Sequence, residues 1–72
     1  MSKKNYVTLF LAFCRKHEIW FSVDVGSYLQ ECTYLKDGNY ISFEPRQGYK
    51  FGSKGGYEWM VKEAKEIEED LL

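Results

Sequence analysis

Cys14, His17 and Cys32 are the side chains best suited to hold a soft metal ion, since thiolate and imidazole are preferred zinc ligands. Cys14 and His17 stand three apart, on one side of a helix. The pattern falls short of a metal knuckle. Neither cysteine has a close partner in the sequence, an acid would have to complete the ligand set, and Cys14 fits an apolar stripe as a small hydrophobe. No metal and no cofactor are expected, and two reduced, half-buried thiols are the simpler reading. His17, the only histidine, falls in the last turn of an expected helix, where capping the terminal carbonyls accounts for it. No nucleophile has a base at useful spacing, and no carboxylate pair stands apart from the acidic last helix, so an enzyme is not expected.

Arg46 to Tyr57 is chemically the densest stretch, combining Arg46, Lys50 and Lys54 with Tyr49, Phe51 and Tyr57 and four glycines. A phosphate-binding loop needs four residues between its first glycine and Gly-Lys-Ser/Thr, whereas Gly48 is followed by Gly52-Ser53-Lys54. What remains is a generic anion seat, with the backbone amides of Ser53, Gly55 and Gly56 at a helix start and three cations around them. The plainer alternative is a loop whose glycines permit tight turns and whose lysines stay hydrated.

The elements that position these residues follow from periodicity. Tyr6, Val7, Leu9, Phe10, Phe13 and Cys14 share one broad helical face from Asn5 to His17, with Ser2 or Asn5 as cap and Arg15, Lys16 and His17 in the last turn. Ile19 to Val25 alternates as a half-buried strand, with Ile19, Phe21, Val23 and Val25 on one side and Trp20, Ser22 and Asp24 on the other. Gly26-Ser27 ends it. Tyr28 to Leu35 is read as a second strand, with Leu29, Glu31, Thr33 and Leu35 on one face. The turn chemistry of Lys36-Asp37-Gly38-Asn39 then joins it to a third strand, Tyr40 to Glu44, which Pro45 stops. Tyr57, Met60, Val61, Ala64 and Leu71 trace a last helix, whose final turn should fray because Glu66, Glu68, Glu69 and Asp70 crowd the negative end of its dipole. The fold expected for residues 1–72 is therefore a single small α+β domain. Its order is helix, three-stranded antiparallel meander, helix, with both helices on one face of the sheet.

Composition agrees: 44% hydrophobic and 18% aromatic residues are too apolar for a disordered segment. The net charge of −1 conceals a basic first helix and an acidic last one, read as solvated faces or as ends that pair. Lys3 and Lys4 before the apolar run loosely resemble a secretory signal, but Phe13 and the charges that follow Cys14 do not suit cleavage. The run is far below the ~20 residues of a membrane span, so the chain reads as soluble and cytoplasmic, with no membrane partner.

With helices on one face, Trp20, Tyr28 or Tyr34, and Tyr40 would lie on the open face of the sheet, or else pack against Tyr49 and Phe51. The leading functional expectation is a non-enzymatic protein-interaction module, self-associating as a homodimer in one form, with Trp20, Tyr40, Tyr49 and Phe51 as anchors. The alternative is a single-stranded nucleic-acid binder. There Tyr34, Tyr40, Tyr49 and Phe51 would stack bases while Lys36, Arg46, Lys50 and Lys54 hold phosphates, against the absence of any basic excess. In size and in Lys, Glu and Tyr richness the chain resembles small proteins of phage and prophage genomes, a resemblance that assigns no residue.

Overall fold

A computed structural model describes residues 5–35 and 38–71. Helix α1 (Tyr6–His17) leads into strands β1 (Ile19–Val23), β2 (Leu29–Tyr34) and β3 (Ile41–Phe43), and helix α2 (Lys54–Leu71) closes the order. The strands form one antiparallel sheet in the order β1-β2-β3, the meander expected from the sequence. Lys36 and Asp37 of the expected turn, and Ser2 as a cap, lie outside the described residues.

Local chemistry sets each boundary. The Asn5 side chain accepts the Thr8 amide at 3.1 Å and starts α1. Glu18, in the left-handed region at φ 57°, ends it by donating its amide back to the Arg15 and Cys14 carbonyls, so a single residue connects helix to strand. After β1, Asp24 Oδ1 accepts the Gly26 and Tyr28 amides at 2.8 and 3.0 Å, an Asx turn that reverses the chain. Helix α2 begins three residues before Tyr57, because Ser53 caps it: Ser53 Oγ accepts the Gly56 amide at 3.0 Å and donates to the Lys50 carbonyl at 2.7 Å.

The register contains one irregularity. Ile19 faces Tyr34 and Phe21 faces Cys32, but Val23 faces Leu29. Gln30 and Glu31 therefore stand opposite Ser22 alone, a bulge in β2. It reverses the alternation expected for this strand: Leu29, Cys32 and Tyr34 are buried, while Thr33 turns to the outer face with Trp20 and Ser42. Tyr34 in particular is 1% exposed and belongs to the core, a correction to its placement on the open face.

Both helices cover the inner face. Phe10 and Cys14 from α1, Ile19, Leu29, Cys32 and Tyr34 from the sheet, and Met60 and Ala64 from α2 form the buried cluster. The helices run side by side in the same direction, Tyr6 meeting Tyr57 at 5.9 Å between ring centroids and His17 Nδ1 meeting Glu68 Oε2 at 3.0 Å. Tyr34 donates its hydroxyl to the same Glu68 oxygen at 2.9 Å, so one carboxylate ties α2 to α1 and to the sheet. The last turn, expected to fray, is helical through Leu71. Among the described residues no helix is long and apolar enough to cross a membrane.

Two substitutions test this packing. A Cβ at Gly56 would meet the Lys50 carbonyl oxygen at 2.9 Å and Leu29 Cδ1 at 3.3 Å. Gly56→Ala should therefore lower stability in urea unfolding by about 1–3 kcal/mol, despite the ~1 kcal/mol that alanine adds within a helix. Tyr34→Phe removes one hydrogen bond to a carboxylate and should cost about 1 kcal/mol; an unchanged midpoint would show that Glu68 is held by other groups.

Candidate functional site

The seven residues singled out from the sequence do not form one surface. The segment 46–57 is divided three ways by what its rings find to pack on. Phe51 enters the core edge to face with Phe10 at 5.5 Å and stacked on Phe21 at 5.3 Å. Tyr49 lies nearly parallel to Trp59 at 6.0 Å, and its ring also covers Gly55. Lys50 holds its ammonium 5.6 Å from the Tyr28 ring centroid, a cation–π contact at the surface, and its backbone bridges to Tyr28 beside the sheet. Lys54 opens α2 and is exposed. The expected anion seat is partly closed by the chain itself, since Ser53 Oγ already occupies the Gly56 amide.

Arg46 and Tyr49 do converge, on a cleft of about 450 Å³ between the 44–49 segment and α2, where Trp59, Lys62, Glu63 and Glu66 complete the wall. Partial burial, a hydrogen bond shared with Glu66 and the charge of Glu66 raise the Glu63 carboxyl above its ordinary range, against the pull of Lys62 and Arg46. Cations and acids alternate around this cleft, so its walls largely neutralise one another, and no serine, threonine or cysteine is among its lining residues.

Trp20 and Tyr40 are the pair that the fold brings together in the open. They are 70% and 79% exposed and flank Thr33 and Leu35 across a depression of about 270 Å³ on the outer face of the sheet. Single exposed rings are ordinary. Here two large rings frame an apolar hollow on a face that no helix covers, leaving contiguous apolar surface open. Thr33 and Leu35 were not foreseen as part of it, because the bulge that turns them outward leaves no mark in the alternation of the sequence. Trp59 and Glu63 were missed as well, although both stand on α2 beside the stripe that faces the core.

Cys14 and Cys32 both belong to the core cluster. Both are free and buried, and burial pushes each thiol from its usual 9.0 up to about 12, with the charges of Cys14 and Glu31 adding to the shift at Cys32. A thiol so held is a poor nucleophile. No cluster of three metal-binding side chains occurs among the described residues. Set beside known proteins, the chain matches no family model, no curated protein and no solved structure.

The thiol shifts carry a sign. A folded value above the unfolded one means that stability is fully present below pH 9 and declines as pH climbs toward 12. Urea midpoints should therefore fall across that interval, and iodoacetamide at neutral pH should label Cys14 and Cys32 only at the rate of unfolding. Rapid labelling of folded protein would contradict the burial of these thiols.

Proposed function

We propose that this chain is a non-enzymatic protein-interaction module whose contact surface is the outer face of the sheet. The observation that carries the reading is the exposure of Trp20 and Tyr40 on one face, framing the hollow floored by Thr33 and Leu35. Trp and Tyr are the side chains that most often anchor protein interfaces, since they bury a large area at small conformational cost and bring a polar handle. A partner apolar side chain entering the hollow would be stacked from both sides, and Ser42 and Thr33 beside it offer hydroxyls for a polar rim.

Nucleic-acid binding draws less support from the same geometry. Three of the four rings it would use are engaged within the fold: Tyr34 is buried, and Tyr49 and Phe51 pack on Trp59, Phe10 and Phe21. Arg46 lies among Glu44, Glu63 and Glu66, which repel a phosphate backbone.

The test uses the folded protein as bait, with circular dichroism to confirm that each variant keeps its structure. A protein captured by the wild type should be lost with Trp20→Ala and with Tyr40→Ala, each weakening binding by about 2 kcal/mol, roughly thirtyfold. The same protein should be retained by Lys50→Ala and Lys54→Ala. Titration with single-stranded oligonucleotides provides the opposing outcome: salt-dependent binding that Lys50→Ala and Lys54→Ala weaken would overturn the protein-module reading.

A further inference from the structure

The two edges of the sheet are protected very differently. β3 is three residues long and is followed by Glu44 and Pro45, a short strand ended by a charge and a residue that cannot donate. These are common devices against edge-to-edge pairing. β1 is the other edge; it is longer, reads Ile-Trp-Phe-Ser-Val between Glu18 and Asp24, and has no proline within or beside it.

Hydrogen-bond phase shows what this edge presents. The Leu35 amide donates to the Glu18 carbonyl, and the Asp24 amide to the Tyr28 carbonyl. In an antiparallel ladder, bonded and non-bonded pairs alternate. Glu18, Trp20 and Asp24 therefore turn their backbone groups toward β2, and Ile19, Phe21 and Val23 turn theirs outward. Beside this row runs a groove of about 320 Å³ between α1 and the strand, lined by Leu11, Arg15, Ile19, Trp20 and Phe21. Leu11 in the groove and Val23 at the end of the strand are 41% and 43% exposed.

We propose that this edge is where a second copy of the chain docks, β1 against β1 in antiparallel sense, joining two three-stranded sheets into one of six. The proposal rests on the interaction-module reading and adds to it a second surface, which meets the first at Trp20, and an identified partner. A two-fold axis through the strand pair makes the contact self-complementary. It matches the outward amides and carbonyls of one copy with those of the other, and brings the Leu11 sides of the two α1 helices together above them. Covering Leu11, Val23, Val25 and the edge-facing side of Trp20 would remove on the order of 400 Å² of side-chain surface per copy. That is about half of the ~800 Å² that each partner gives to a standard stable interface, before the backbones are counted.

Sedimentation equilibrium of the full chain from micromolar to millimolar concentration should show a monomer–dimer equilibrium. Val23→Lys and Leu11→Lys, both at partly exposed positions and checked for folding by circular dichroism, should each weaken it by about tenfold or more. Tyr40→Ala should leave it unchanged. Amide exchange of the wild type gives an independent readout, in which the Ile19, Phe21 and Val23 amides become protected as concentration rises. A monomer across the whole range overturns the proposal. So does a dimer whose Ile19 and Phe21 amides exchange freely, or one that Tyr40→Ala dissociates while Val23→Lys does not. Failure on any of these counts leaves the outer-face reading standing, because that reading is tested at Tyr40 by capture of a different protein.

Discussion

Ser22 of β1 faces two residues of β2, Gln30 and Glu31, and the packing of the whole inner face depends on that surplus residue. In a regular strand, Leu29 could point inward only together with Glu31, Thr33 and Leu35, which would bury a carboxylate and expel Cys32 and Tyr34. The bulge lets Leu29 and Cys32, three apart, both enter the core. Tyr34 follows Cys32 inward, and its hydroxyl reaches Glu68, which also holds His17. One backbone irregularity thus decides which rings stabilise the fold, which remain outside, and where the end of α2 is fastened.

The helices and the meander were legible because their signals are local and repeated. The stripe from Tyr6 to Cys14, the alternation from Ile19 to Val25, of which the strand keeps Ile19–Val23, and the stripe from Tyr57 to Leu71 each restate one periodicity several times. Trp20 and Tyr40 were legible as outward residues for the same reason. The side of β2 was not, since a bulge changes the phase of a strand without changing its composition. Segment 46–57 read as one surface because rings and cations were adjacent in sequence. In space, each ring went to the nearest unfilled apolar site, Phe51 to Phe10 and Phe21, and Tyr49 to Trp59. Adjacency in a loop carries no information about such distant partners.

Charge shows the same division between what is written locally and what is settled by contact. The basic end of α1 and the acidic end of α2 suggest a polarised molecule. Because the two helices run in the same direction, their C-terminal ends lie together, and the His17–Glu68 contact joins them. Parallel helices align their dipoles unfavourably, and a cationic cluster at the end of α1 offsets part of that. The sheet meanwhile carries helices on one side only, so the apolar residues that α1 and α2 cannot reach are left on its outer face and along β1.

Core residues from α1 and from α2 meet in one cluster, Phe10 and Cys14 touching the same interior as Met60 and Ala64. During synthesis, α1 and the meander therefore emerge before the helix that completes their interior. At ~5–20 residues per second, the 18 residues of α2 take about one to four seconds to add. Through that interval the nascent chain has α1 alone to cover Ile19, Leu29, Cys32 and Tyr34, beside an open strand edge, and it is then that its interior is most open to contact with other chains.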